Sequence, residues 1–135
     1  MKHDVTLTIA SLLAILLFTL HTADDIVRGF EKGGPSNLGT IPIAVTWLYG
    51  TLVLSGRRSG YAIIVIASLL GMLMSGIHFM NAGGVVGGGV ARSSGALFFV
   101  WTQIALGVTS VFSLMLSARG LWSRKIGGAN ADSRA

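Results

Sequence analysis

Charged side chains in this chain are grouped, and the gaps between the groups are long enough to cross a bilayer. Residues 5–23, 33–56, 59–91 and 93–118 hold no Asp, Glu, Lys or Arg, giving runs of 19, 24, 33 and 26 residues. A helix crossing the roughly 30 Å hydrocarbon core needs about 20 mostly apolar residues. Four such intervals predict four transmembrane helices, at about 6–22, 38–55, 61–80 and 96–117, in a single domain 1–135 that ends in a short basic tail, 118–135. The runs are continuously apolar and do not alternate as barrel strands do. The expected fold is all-α: an integral membrane four-helix bundle, antiparallel and up-down-up-down.

Composition supports this class. Only 11% of residues are Asp, Glu, Lys or Arg and 52% are hydrophobic, against about a quarter charged in soluble domains. The absence of cysteine excludes a disulfide scaffold and any thiolate metal or redox site. Lys2 before an apolar run imitates a signal peptide, but a cut after Ala23 would put His21 where a small residue is needed, so no cleavage is expected.

Lysine and arginine set the expected orientation. One side of the four-helix arrangement holds seven of them (Lys2, Arg57, Arg58, Arg119, Arg124, Lys125, Arg134) and the other holds three (Arg28, Lys32, Arg92). Both termini are therefore expected in the cytoplasm, with the 23–37 and 81–95 loops outside. The net charge of +5 is mostly this topological signal. No basic stripe with interleaved aromatics points to nucleic acid, and Arg119, Arg124 and Lys125 suit anionic lipid head groups.

The connection at residues 55–60, Ser-Gly-Arg-Arg-Ser-Gly, is short enough to force a helical hairpin. Pro42 falls in the first turn of the second helix, where a missing N–H costs little. Tyr49, Tyr61 and Trp122 fall near the inner boundary, as an aromatic belt would place them. Residues 81–95 contain six glycines. They lack the Gly-Lys-Ser/Thr ending of a phosphate loop and read as a flexible external loop.

Helices in lipid associate through small residues and a few hydrogen bonds. Thr6, Ala10 and Ala14 recur at spacing four, as do Ala67, Gly71 and Ser75, and Ala105, Thr109, Ser113 and Ser117. These stripes are expected to face the bundle. His21 lies 7 residues after Ala14, and His78 lies 7 after Gly71, so both imidazoles turn inward at the outer rim. Asp24 and Asp25 follow His21 at i+3 and i+4, and Asn81 follows His78 at i+3.

His21, His78, Asp24 and Asp25, with Glu31 nearby, thus form a candidate transition-metal site. Two imidazoles and a carboxylate suit zinc, iron or copper and leave positions open. A pair of imidazoles is also the axial set of a haem. The plainer alternative is structural hydrogen bonding, His21 to Asp25 and His78 to Ser75 or Asn81. His3 lies on the opposite side. No Asp, Glu, Lys or Arg lies inside a span, which disfavours proton-coupled transport. Gln103, the one strongly polar non-hydroxyl group at depth, reads as an interhelical hydrogen bond.

The stretch His21-Thr-Ala-Asp-Asp-Ile-Val-Arg-Gly-Phe-Glu-Lys-Gly-Gly, followed by Ser36-Asn37-Leu38, resembles small bacterial inner-membrane proteins with four predicted helices. That resemblance implies a multi-pass protein of the bacterial inner membrane and carries over no catalytic or binding residue. The expected function is that of a non-enzymatic membrane protein. It would act as a homo-oligomer or as an accessory subunit of a larger membrane complex, with the lipid bilayer and other membrane subunits as partners. The alternative is a metal- or haem-binding membrane protein, an oxidoreductase among them, built on the His/Asp cluster.

Overall fold

The computed structural model describes residues 2–29, 34, 39–81 and 95–132. It is all-helical: α1 (Lys2–Val27), α2 (Thr40–Leu52), α3 (Arg58–Asn81) and α4 (Ala96–Asp132). Glu31, Lys32, Arg92 and the glycine-rich stretch 82–94 lie outside the described residues, as do the side chains of His3 and Asn81.

Three of the helices are long and apolar enough to cross a membrane, at Val5–Val27, Arg58–His78 and Ala96–Ser123. The fourth expected span, α2, is shorter than the other three. Its 13 residues make a rod of about 20 Å at 1.5 Å per residue, short of the hydrocarbon thickness. Two glycines bound it. Gly39 precedes its first turn, and beyond it Gly56, with φ of 71°, turns the chain into α3.

Two other boundaries also differ from expectation, because charge ends a membrane span without ending a helix. Expected to stop near residue 22, α1 runs on to Val27. Asp24 pairs with Arg28 one turn later, an i,i+4 arrangement that supports a helix. Gly29, with φ of 73°, then ends it. Similarly, α4 continues through the basic segment after residue 117 as far as Asp132, 37 residues in all, since nothing between is a proline.

Small residues make the close approaches. A Cβ added to Gly71 would meet the Ser110 hydroxyl and, at 3.5 Å, the Trp47 ring, and one added to Gly107 would touch Ser75. Ala10, Ala14, Ala67, Ser75, Ser113 and Ser117 are buried as expected. Thr6 is exposed and Thr109 only partly buried; on α4 the inward face instead carries Thr102, Gln103, Leu106, Ser110, Ser113 and Ser117. Tyr61 also departs from the aromatic-belt reading. It is 6% exposed and its ring fills the space left by Gly120.

Several polar side chains inside the bundle pair across helices, where hydrocarbon offers no alternative partner. The Trp47 indole N–H donates to Ser11 Oγ at 2.9 Å, and Ser11 shares a 2.7 Å hydrogen bond with Thr51. Ser75 Oγ donates to the Gln103 carbonyl at 3.3 Å. Across α3 and α4 the touching residues are Tyr61 with Gly120, Gly71 with Ser110 and Ser75 with Gly107. The large apolar residues Leu97, Trp101, Val108 and Met115 point outward, as a lipid-facing surface requires.

Gly60 tests the α2–α3 turn. A Cβ there would press on the Leu54 carbonyl, with the Leu54 carbon at 2.8 Å and the Gly50 oxygen at 2.9 Å, whereas one at Gly76 meets nothing within 4 Å. Gly60→Ala should cost about 1–3 kcal/mol, and Gly76→Ala should be neutral or gain up to about 1 kcal/mol from helix propensity. Thermal unfolding in detergent distinguishes them; equal melting of the two variants would contradict this packing.

Candidate functional site

The last turns of α1 and α3 and the first turns of α4 converge on one carboxylate. His21 sits on α1 two turns beyond Ala14, itself fully buried, so helix periodicity alone turns the imidazole inward. Asp25 follows one turn later on the same face and is 2% exposed. Asp25 Oδ2 lies 3.1 Å from His21 Nε2 and 3.1 Å from His78 Nε2. The two imidazoles meet edge to face with centroids 4.7 Å apart. Phe99, 2% exposed on α4, packs against both rings at 5.4 and 6.3 Å.

Hydrogen-bond accounting fixes where protons can be. His78 Nδ1 lies 2.9 Å from the Met74 carbonyl oxygen, which can only accept, so that nitrogen carries the proton. A protonated His78 then donates from Nε2 to Asp25 Oδ2, whereas a neutral ring turns a lone pair toward it. On the other ring, His21 Nε2 lies 2.8 Å from Gln103 Nε2, an amide nitrogen that donates. According to its tautomer, His21 Nε2 either accepts from that amide or, protonated, donates to Asp25 Oδ2 at 3.1 Å. Asp25 Oδ1, His21 Nδ1 and Gln103 Oε1 are buried without a hydrogen-bond partner.

Two imidazole nitrogens and one carboxylate oxygen thus converge on a common place, where either protons on the rings or a metal ion balances the carboxylate. His21, Asp25 and His78 each offer a ligand atom within 4.8 Å of the other two. Tetrahedral zinc with bonds of about 2.0–2.2 Å separates its donors by about 3.3 Å, close to the two 3.1 Å separations found here. The Met74 carbonyl on His78 Nδ1 is the outer contact that orients metal-ligating histidines and fixes their tautomer.

Of the four residues singled out from sequence, the structure brings three together. Asp24 turns away: its Oδ2 accepts from Arg28 Nε at 2.7 Å. Arg28 reaches on to the Gly95 carbonyl at 2.7 Å and stacks 5.6 Å from the Phe99 ring centroid. It pins the end of α1 to the start of α4 and holds Phe99 over the imidazoles. The Ser75 hydroxyl donates to the Gln103 backbone carbonyl and His78 Nδ1 meets the Met74 carbonyl; the expected bond of His78 to Asn81 falls on a side chain outside the described residues. Gln103 does make an interhelical hydrogen bond, as its depth suggested, but its partner is the cluster itself. Sequence reasoning missed Phe99, which nothing distinguishes from other apolar residues of α4.

Removing the shared acceptor should matter far more than removing its neighbour. Asp25→Ala strands two imidazoles and should cost about 3 kcal/mol of stability. Asp24→Ala, whose carboxylate serves a partly exposed ion pair, should cost about 1 kcal/mol or less. Melting curves of the two variants in one detergent check this, and the opposite ranking would contradict the site described. No family model, curated protein or solved structure matches this chain.

Proposed function

We propose that this chain is a metal-binding multi-pass membrane protein that holds one divalent transition-metal ion between His21, Asp25 and His78 at the outer rim of the bilayer. The observation that carries the reading is the approach of both Nε2 atoms to one carboxylate oxygen, each at 3.1 Å. Metal ions require deprotonated ligands, and the Met74 contact leaves His78 Nε2 unprotonated in the neutral ring.

A bare ion suits these residues better than haem. Axial histidines of a haem approach the iron from opposite faces of the macrocycle. Here the rings pack directly on each other at 4.7 Å and are capped by Phe99.

In this reading the helices run alternately up and down, with the short α2 as the segment that returns the chain across the membrane, both termini cytoplasmic and the cluster on the outer side of a bacterial inner membrane. Support comes from the pairing of Tyr61 with Gly120 and Gly71 with Ser110 along α3 and α4, from the uneven Lys/Arg distribution, and from the sequence resemblance noted above.

A second reading concerns assembly. The exposed face of α4 carries an apolar groove of about 500 Å³ beside Gly107, lined by Ile104, Val108, Val111, Phe112 and Met115. The wall of this groove is wholly apolar, and the space it leaves on the outer face suits a helix of a second copy. Cysteine introduced at Val108 of this cysteine-free chain should crosslink two copies in native membranes; a solely monomeric product would contradict it.

For the metal, purified protein equilibrated with Zn²⁺ should retain one ion per chain after desalting. At a free ion concentration 100 times the dissociation constant it should gain about 2.7 kcal/mol of stability. His78→Ala should abolish both effects. A wild-type protein that retains no zinc and melts identically with and without it would overturn the proposal.

A further inference from the structure

We infer that Gln103 supplies a fourth donor, its carboxamide oxygen, so that the ion is enclosed by two imidazole nitrogens and two oxygens and acts as a clasp joining α1, α3 and α4. This rests on the reading that the cluster binds a divalent metal, and it adds what kind of site that is. Structural sites close all their positions with protein donors, whereas catalytic ones keep a position open.

The amide is already at the cluster. Gln103 is 1% exposed, its nitrogen lies 2.8 Å from His21 Nε2, and its oxygen is buried without a hydrogen-bond partner. With His21 neutral and Nε2 bare, the nitrogen donates into the very lone pair that an ion would take from His21. A cation at that point repels the N–H and attracts the oxygen. Because the two ends of a carboxamide exchange places by a half-turn of one torsion, the oxygen can occupy the nitrogen's position without moving the helix.

The backbone that carries Gln103 is fixed from two sides. Its carbonyl accepts from Ser75 on α3. One turn earlier, Phe99 is wedged against both imidazoles, and the start of α4 is tied to α1 by Arg28 at the Gly95 carbonyl. An amide held this firmly needs little ordering to become a ligand.

The completed set holds no sulfur. Imidazole, carboxylate and carboxamide together suit zinc, cobalt, manganese or ferrous iron, and disfavour cuprous ion, which selects thiolate and thioether. His78 is the most open of the three ligands, its side chain 21% exposed, so an ion enters past His78 and Gln103 closes behind it from the buried side.

Co²⁺ titrated into the full chain in lipid nanodiscs tests this, because its visible d–d bands are intense in four-coordinate sites and weaken when water adds to the shell. The wild-type protein should show the intense bands. Gln103→Leu should bind Co²⁺ at least about tenfold more weakly, with weakened, shifted bands. Gln103→Glu should keep tight four-coordinate binding, with bands displaced because a carboxylate replaces the amide. Should the Leu variant fail to fold by circular dichroism, the Glu variant decides. Wild-type affinity and unchanged bands in either variant would show that Gln103 is no donor and leave the three-residue site standing. Absence of any Co²⁺ bands in the wild type would instead remove the metal reading beneath it.

Discussion

A carboxylate carried into the apolar interior of a helix bundle has to be met by hydrogen-bond donors or positive charge, because hydrocarbon supplies neither. Asp25 is 2% exposed and belongs to a helix long and apolar enough to cross a membrane. An isolated buried carboxylate costs many kcal/mol, and even at membrane depth such groups persist only with partners. Two imidazoles from different helices meet Asp25, and the surrounding packing can be understood as what brings them there. Ala14 and Gly71 allow the helices to close, while Phe99 and the Arg28 bridge to Gly95 fix the end of the bundle where the rings lie.

The same logic explains why the cluster is suited to a cation. A hydrogen-bonded network satisfies its members by alternating donors and acceptors. Here the Met74 carbonyl accepts from His78 Nδ1 and the Gln103 amide reaches His21 Nε2, so with neutral rings the nitrogens facing Asp25 are lone pairs open to a cation. Buried polar atoms without partners are uncommon enough to need a reason, and three of them, on His21, Asp25 and Gln103, gather at this one place. A metal ion supplies the missing charge in a single object and ties three helices together as it does so.

Much of this was legible in the sequence. Charge-free runs of membrane length predicted four spans, and three of the four helices are long and apolar enough to cross; the 7-residue steps from Ala14 to His21 and from Gly71 to His78 placed both imidazoles inward. The length of α2 was not legible, because an apolar run between charges says nothing about where Gly39 and Gly56 interrupt the helix. Nor were the continuations of α1 and α4 past their charges, since helix propensity is indifferent to the bilayer edge. Choosing Asp25 over Asp24 required the position of Arg28, which claims the latter. The Gln103 contact spans 82 residues, a pairing no local pattern encodes; being a lone amide in an apolar span was its only mark.

X-ray absorption at the zinc edge of the zinc-loaded full chain probes the convergence of these side chains most directly. Two imidazoles sharing one ion give first-shell nitrogen and oxygen at about 2.0–2.2 Å, together with the outer-shell scattering of two ordered rings. That spectrum is the result this account requires. An all-oxygen shell without imidazole scattering would mean that His21 and His78 do not meet at a metal.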